Sequence, residues 1–188
     1  MILSSDGPIQ SVACSTSGQW ATRYEYNVYF SNSNVQGGQV TYNATAVAGS
    51  DLSAVAGTVG QTVETGVGSL LGELYDCSNI RLSGATVETG SVQSHTGPLF
   101  YFTADESNPL PSLSAVDTSD LSLFGALNLA TGSSIRVTAI GQCPPNAASA
   151  NPSICKAGDD VMLGTYVVQV YPGAMTAILM QGRLPWQP

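Results

Sequence analysis

Apolar and polar residues alternate along much of this chain, which is the two-residue period of a half-buried β-strand. In RYEYNVYF, Tyr24 and Tyr26 fall on one face of such a strand and Glu25 falls on the other. QVTYNATAVA has a similar composition and follows the turn cluster SNSNVQGG. The pattern therefore predicts two early strands, over residues 24–30 and 39–47.

One stretch, residues 51–63, favours a short helix instead. Ser50 and Asp51 stand before LSAVAGTVGQTV, and both residue types cap helix N-termini well. Gly57 and Gly60 lower the helix propensity of the same stretch. We expect one short helix here.

From residue 70 onward the chain consists of short alternating runs separated by Gly, Pro, Asn, Asp and Ser, which tolerate turn geometry. The predicted strands are LLGELYD, GATVETG, GPLFYFTA, SLSAVDT, LSLFGALNL, SSIRVTAIG, VMLGTYVVQVY and AMTAILMQG. Such spacing is typical of a β-sandwich or a β-barrel. The chain has no repeat of fixed period and no low-complexity linker, so the spacing marks no second domain.

Residues 117–140, DTSDLSLFGALNLATGSSIRVTAI, contain two alternating runs around the turn cluster ATGSS. This arrangement predicts a β-hairpin. Its polar residues Asp117, Asp120 and Asn128 raise the question of chemistry. Because Asp and Asn side chains hydrogen-bond their own backbone at strand ends, we interpret all three as turn formers.

The surface has few charges. Charged residues make up 10% of the 188-residue chain, against roughly 25% in an ordinary globular protein. Five basic residues stand against thirteen acidic ones, for a net charge of -8, so nucleic acid and anionic membranes are poor partners. No apolar run reaches the length of a membrane span, and MILSSDGPIQ does not resemble a signal peptide. The chain is thus either cytosolic or the mature form of an exported protein.

The cysteines favour the second alternative. Cys143 and Cys155 bracket PPNAASANPSI, an irregular loop whose closure by a disulfide would stabilise the fold by roughly 3 kcal/mol. Cys14 and Cys77 then pair by elimination, although four cysteines permit three pairings. Four reduced thiols in the cytosol are the alternative. Zinc is disfavoured, because the chain has no C-x-x-C motif and His95 is its only histidine.

Two stretches resemble carboxypeptidase regulatory-like domains, which share the transthyretin (prealbumin-like) β-sandwich. GELYDCSNIRLSGATV resembles their G-x-V-x-D-x-x-G-x-P-L-x-G-A-x-V pattern. The matching residues are Gly72, Asp76, Leu82, Gly84, Ala85 and Val87, with Leu74 at an apolar position. Asn79 replaces the turn glycine and Arg81 the proline, and since Asn enters the left-handed region readily, the turn is expected to survive.

The second stretch resembles D-x-x-G-x-F-x-x-x-N-L-x-x-G-x-x-x-V-x-A. The matching residues are Phe124, Asn128, Leu129, Gly132, Val137 and Ala139. Ser122 stands at a usual glycine, and Asp120 is displaced from the pattern. The resemblance covers residues 70–182 and implies an antiparallel β-sandwich there, preceded by an N-terminal extension (1–69), which packs on the sandwich or reaches out from it, and followed by a Pro-rich tail (183–188). It also implies a non-catalytic module of secreted or surface proteins that serves as a spacer, an adhesion element or a folding partner.

The residues give no standard catalytic set, cofactor motif or metal motif, and we predict that the protein is not an enzyme. His95 and Lys156 are interpreted as loop residues. The carboxylate pairs Asp105 and Glu106, Asp117 and Asp120, and Asp159 and Asp160 lack the spacing of a calcium loop, so turn formation is favoured over calcium. An enzyme with a carboxylate pair brought together in three dimensions is the weakest alternative.

The predicted function is structural. A β-protein with few charges has little to prevent edge-to-edge pairing, so residues 1–20 are expected to add to a neighbour's sheet, with Ile9 and Val12 as interface side chains. Trp186 in the tail is the other interface candidate. The predicted partner is a second copy of the chain, outside the cell or at its surface.

The alternative is an adhesive module that binds a glycan through surface aromatic residues. The candidates are Trp20, Tyr24, Tyr26, Tyr29, Tyr101 and Trp186. Most of these are expected to pack in the core, since aromatic side chains dominate sheet interiors. Asn43 begins the one N-glycosylation motif.

Overall fold

The computed structural model describes most of the chain. The described ranges are residues 9–11 (backbone alone), 20–28, 34–40, 47–76, 79–90, 99–132, 134–143 and 155–182. They contain twelve strands and one helix.

The main sheet has seven strands. In spatial order these are β1 (Ile9–Ser11), β2 (Thr22–Tyr26), β12 (Ala174–Gln181), β5 (Gly68–Tyr75), β9 (Leu123–Leu129), β7 (Leu99–Phe102) and β8 (Pro111–Ser112). The sheet is mixed, because β12 runs parallel to both β2 and β5 while the other pairings are antiparallel.

The second sheet has three antiparallel strands. In order they are β11 (Asp160–Gln169), β10 (Ser134–Gln142) and β6 (Ala85–Gly90). A separate two-stranded ribbon joins β3 (Val35–Gln36) and β4 (Gln39–Val40). The prediction of a mainly β fold is confirmed, and the two larger sheets pack face to face as a sandwich.

The main core lies between these sheets. Leu70, Leu74 and Phe124 from the seven-stranded sheet pack against Val137 and Val168 from the three-stranded sheet. All five side chains are almost fully buried. Strand β10 thus places Ile135, Val137 and Ala139 inward, whereas β11 buries Leu163 and Val168 and leaves Met162 and Val167 exposed on its outer face.

Helix α1 (Gly49–Thr58) covers the opposite face of the seven-stranded sheet. Leu52 and Ala56 pack on Phe100 and Leu127, which makes a second, smaller core. Strand β9 is therefore covered on both faces, and six of its seven residues are buried. The helix is shorter than the predicted range and begins after Ala48, not at Ser50 or Asp51.

The predicted hairpin over residues 117–140 is wrong. Its two strands exist, but β9 pairs with β5 and β7 while β10 pairs with β6 and β11. The turn between them carries the chain from one sheet to the other. Alternation alone does not separate a hairpin from such a crossing, because both place one face of each strand against the core.

Strand β2 ends at Tyr26, earlier than the predicted strand 24–30. Asn27 has a left-handed backbone (φ 60°) that turns the chain, and its side-chain amide donates to the carbonyl of Leu179 at 3.2 Å. For the predicted strand 39–47, the structure gives β4 at its start, and residues 41–46 lie outside the described ranges. SLSAVDT is strand only at its beginning, in β8.

Helix α1, the one helix of the described ranges, is too short to cross a membrane.

Candidate interaction site

Two buried hydroxyl groups hold the turn before β6 against the turn before β9. Thr118 donates from Oγ1 to the carbonyl of Leu82 at 2.7 Å and accepts the amide of Ala85 at 3.0 Å. Ser122 accepts the amide of Leu82 at 3.1 Å and lies 2.6 Å from the carbonyl of Leu74. Both side chains are buried, so these hydroxyls satisfy backbone groups that water does not reach.

Asp76 plays the same part at the end of β5. Its carboxylate accepts the amide of Ile80 at 2.8 Å, and its carbonyl accepts the amide of Asn79 at 3.1 Å. Asn79 has a left-handed backbone (φ 65°), as expected for the residue that replaces a turn glycine. The residue pattern behind the family resemblance thus forms a tight turn around a buried carboxylate.

Asn128 is a structural residue as well. It is buried, has a left-handed backbone (φ 53°) and lies where the register of β5 and β9 shifts. Its Oδ1 accepts the amide of Glu64 at 3.0 Å, and its Nδ2 donates to the carbonyl of Thr62 at 2.9 Å. These bonds fix the segment that joins α1 to β5. Asn128 therefore holds the backbone in place, in line with its interpretation as a turn former.

Two exposed aspartates, Asp105 and Asp159, also accept hydrogen bonds within turns. Asp105 accepts the amide of Ser107 at 2.9 Å and its hydroxyl at 2.6 Å, and these bonds lower the pKa of Asp105. Asp159 accepts the amide of Lys156 at 3.3 Å. In the described part of the chain no three potential ligands come together for a metal ion.

The predicted disulfide between Cys143 and Cys155 is present. The two Cα atoms lie 6.1 Å apart, and both residues are buried at the edge of the main core. The bond ties the end of β10 to the residues before β11. Cys14 and Cys77 lie outside the described residues.

Two charged groups on β2 are less exposed than alternation suggested. Glu25 is only 4% exposed, and its carboxylate lies 2.7 Å from Nε of Arg23. Both side chains project from the face that also carries α1, beside Met175 and Ala177 of β12. Sequence reasoning missed this buried ion pair. Residues two apart on a strand always share a face, but whether that face is covered depends on elements far along the chain.

Three of the outer strand edges are short or covered. On β6, the amide of Val87 donates to the hydroxyl of Tyr101 at 2.9 Å, and Thr118 takes the amide of Ala85. Strand β8 has two residues and begins with Pro111. Strand β1 has only three residues. Short strands, proline and covering side chains are the usual protections of sheet edges.

The edge of β11 is different. The strand has ten residues and carries no charge after Asp160, its first residue. Gln169 donates its amide to the hydroxyl of Tyr26 at 3.1 Å, away from β10. Because the bonding direction alternates along an antiparallel strand, the amides of Val167 and Thr165 also point away from β10. Val167 itself is 59% exposed, with its side chain on the outer face of the strand.

A group of tyrosines continues this edge. Tyr24 of β2 stacks on Tyr171, with ring centroids 3.8 Å apart and planes inclined by 18°. Tyr26 lies two residues along β2 on the same face, and burial, followed by the effect of neighbouring Tyr171, raises its pKa although the Gln169 amide opposes the shift. All three rings are half-buried. We call these three residues together with the edge of β11 from Thr165 to Gln169 the tyrosine ledge.

The other predicted aromatic and interface residues are dispersed. Tyr101 is buried, as expected, whereas Trp20 is 44% exposed and stands apart beside Ala48. Ile9 contributes its backbone to β1, opposite Glu25. The remaining candidates, which lie outside the described residues, are Val12, Tyr29, Asn43, His95 and Trp186.

Comparison with known proteins adds no assignment: no family model, curated protein or solved structure matches this chain.

Proposed function

We propose that this protein is a non-catalytic structural protein, extracellular or at the cell surface, whose subunits associate by adding an N-terminal strand to the sheet of a neighbour. The observation that carries the proposal is the pairing of Ile9–Ser11 with β2. The N-terminal segment already acts as an added edge strand, with Ile9 opposite Glu25 and Ser11 opposite Arg23.

The same pairing can form between subunits. A three-residue strand makes few backbone bonds, so its release from β2 costs little, and an identical strand of the next copy restores the same bonds. If each subunit donates its N-terminal strand to the next subunit, the contact is head-to-tail. Such a contact does not close into a dimer, so the assembly can grow. The low surface charge assists, because little repulsion opposes approach.

Three further observations support the proposal. Asp76, Thr118, Ser122 and Asn128, polar residues of the kind that often serve catalysis, are each used to bind backbone groups. The disulfide is compatible with an oxidising compartment. The resemblance to carboxypeptidase regulatory-like domains implies the same kind of role.

Deletion of residues 1–12 tests the proposal. Sedimentation velocity over a wide concentration range should show large, concentration-dependent particles for the full chain and folded, smaller particles for the deletion variant. Added salt should change little, because few charges are present to be screened. A full chain that stays monomeric at high concentration, or a deletion that leaves particle size unchanged, contradicts the proposed strand addition.

Glycan binding is the second candidate, and the Tyr24 and Tyr171 pair favours it. Tyrosine rings present an apolar face and a hydroxyl at a solvent boundary, which suits the face of a sugar ring. Screening on a glycan array and titration of a positive sugar against wild type and Tyr24→Leu test this function. Equal affinity of the two proteins, or no positive sugar, counts against it.

A further inference from the structure

Two tyrosine rings from distant parts of the chain lie face to face in the tyrosine ledge. The ring centroids of Tyr24 and Tyr171 are 3.8 Å apart, and the ring planes are inclined by only 18°. Aromatic pairs in proteins usually have their centroids about 4.5–7 Å apart, so these two rings are in close contact. Among the tyrosines that the structure describes, this is the one pair whose rings touch.

Packed backbone holds both rings in place. Tyr24 is the middle residue of β2, which pairs with β1 on one side and with β12 on the other. Tyr171 begins the turn that leads into β12, where the amide of Ala174 donates to the carbonyl of Tyr171 at 3.3 Å. The preceding residue, Val170, is fully buried in the main core. The contact therefore belongs to the folded sheet and persists as long as β2 and β12 stay paired.

The pair is also accessible to oxidation. Tyr24 and Tyr171 are each half-buried, so part of each ring faces solvent, whereas Tyr101 is only 5% exposed. A phenol that loses one electron and one proton becomes a phenoxyl radical, and two such radicals couple through their ring carbons. Groups that are held in contact react much faster than groups that must first meet by diffusion. The disulfide between Cys143 and Cys155 is compatible with an oxidising compartment, where such radicals form.

We propose that Tyr24 and Tyr171 are a modification site, at which a peroxidase acting on hydrogen peroxide produces a dityrosine cross-link within one chain. Each phenol loses one electron and one proton, and a bond forms between one Cε atom of each ring. The hydrogens on these two carbons then move to the oxygens, which restores both phenols. In sum two C–H bonds break, one C–C bond forms, and the two electrons and two protons reduce one hydrogen peroxide to two waters.

The cross-link has a structural consequence. It would tie β2 covalently to the turn before β12, and β2 is the strand that pairs with the N-terminal strand β1. The acceptor strand would then stay in the sheet even when β1 leaves it. The inference goes beyond the proposed self-association and does not depend on it, because both tyrosines belong to the same subunit.

Oxidation of the purified full chain tests the proposal. The protein is treated with hydrogen peroxide and a haem peroxidase at a concentration low enough to limit encounters between chains. Dityrosine fluorescence should appear, the intact chain should lose the mass of two hydrogen atoms, and a reducing denaturing gel should still show a monomer. Peptide mapping should give one cross-linked pair of peptides, containing Tyr24 and Tyr171.

Conservative variants locate the reacting rings. Tyr24→Phe and Tyr171→Phe keep a ring for the stack but have no phenol to oxidise, so each should lose both the fluorescence and the mass change. The matched control is Tyr75→Phe, which removes a half-buried phenol that bonds Glu73 at 2.6 Å and touches no described tyrosine ring. This variant should form the cross-link as wild type does. Circular dichroism of each variant before oxidation confirms that the fold persists.

Several results would overturn the assignment. Dityrosine that persists in Tyr24→Phe, or a mapped link that uses Tyr26 or another tyrosine, would mean that the stacked pair is not the site. Cross-linked dimers without any link inside one chain would mean that the radicals couple by encounter. Oxidation confined to exposed side chains such as Met162 (66% exposed) and Trp20 (44% exposed), with no dityrosine, would mean that the stack is not oxidised.

Discussion

The hydroxyl of Tyr101, on the seven-stranded sheet, accepts the amide of Val87, on the edge of the three-stranded sheet, at 2.9 Å. Both residues are buried. The bond therefore closes an edge from inside the sandwich, and burial of the phenol raises the pKa of Tyr101, with a smaller opposing effect of the Val87 amide.

Replacement of this hydroxyl should destabilise the fold. Tyr101→Phe leaves the Val87 amide buried without an acceptor, which costs about 1–3 kcal/mol. Urea denaturation monitored by circular dichroism measures the loss. Tyr166→Phe is the control, since its hydroxyl bonds Gln181 at a solvent-exposed place and water can replace it. If both variants lose the same free energy of unfolding, the bond between Tyr101 and Val87 stabilises the fold no more than an exposed hydrogen bond does.

The same pair gives a pH dependence. Because the pKa of Tyr101 is raised in the folded state, the stability it contributes is complete below the ordinary value of 10.0 and decreases as pH rises through the folded pKa. Wild type should therefore lose stability more steeply than Tyr101→Phe above that pH. Parallel stability curves for the two proteins would contradict this expectation.

The stability of the fold should depend equally on the hydroxyl of Thr118. Thr118→Val keeps the shape of the side chain but removes the acceptor of the Ala85 amide and the donor to Leu82, at a cost of about 1–3 kcal/mol for each buried group left without a partner. Thr86→Val, on the exposed face of β6, is the matched control and should change stability by less than about 0.5 kcal/mol. Chemical denaturation of both variants decides whether the hydroxyl holds the turn.

The sequence predicted the parts of the fold that depend on local chemistry. Strand positions from β5 onward follow from alternation, and the left-handed turn follows from Asn79. Gly72 and Phe124, which belong to the two stretches of the family resemblance, are direct partners across β5 and β9. A Cβ at Gly72 would overlap the ring of Phe124, so a glycine at one site and an aromatic at the other are linked by packing.

The rest depends on contacts between distant residues. That β9 and β10 belong to different sheets follows from which strands lie beside them, and neither run reveals its neighbours. The burial of Glu25 and the covered edge of β6 arise in the same way, from partners far along the chain. The tyrosine ledge requires β2, β11 and Tyr171 to meet, and the sequence pattern, which favours the core for most aromatic candidates including Tyr24 and Tyr26, does not single out Tyr171.

Asn128 combines a conformational and a bonding role that two variants separate. Asn128→Gly tolerates the left-handed backbone but loses the bonds to Thr62 and Glu64. Asn128→Ala loses the same bonds and adds about 1–2 kcal/mol of backbone strain. Hydrogen exchange at the Glu64 amide should accelerate in both variants, whereas the loss in unfolding free energy should be larger for Ala. If the Gly and Ala variants lose the same unfolding free energy, the left-handed backbone at position 128 does not limit which residues fit there.

Asp105 should titrate below an ordinary aspartate. The hydroxyl and amide of Ser107 stabilise its charged form and lower its pKa from 3.8. A lowered pKa means that the stability contributed by this turn is present above the ordinary value and is lost as pH falls through the folded value. Ser107→Ala should raise the pKa of Asp105, as measured by carboxyl chemical shifts. An unchanged titration would show that the hydroxyl has no part in the turn.

The disulfide between Cys143 and Cys155 should contribute more stability than any single hydrogen bond above. It closes a loop with a sequence separation of 12, so in the loop-entropy description its loss frees the unfolded chain by about 3 kcal/mol. Because both cysteines are buried, the double variant Cys143→Ala, Cys155→Ala also loses core contacts. Reduced wild type lacks only the cross-link, so its loss of unfolding free energy measures the effect of the cross-link. Any further loss in the double variant measures the effect of the missing side-chain volume.

Non-reducing peptide mapping establishes whether the two cysteines are bonded in the starting protein. Free thiols at both positions, or equal stability of oxidised and reduced wild type, would remove the cross-link as a stabilising feature and weaken the extracellular assignment.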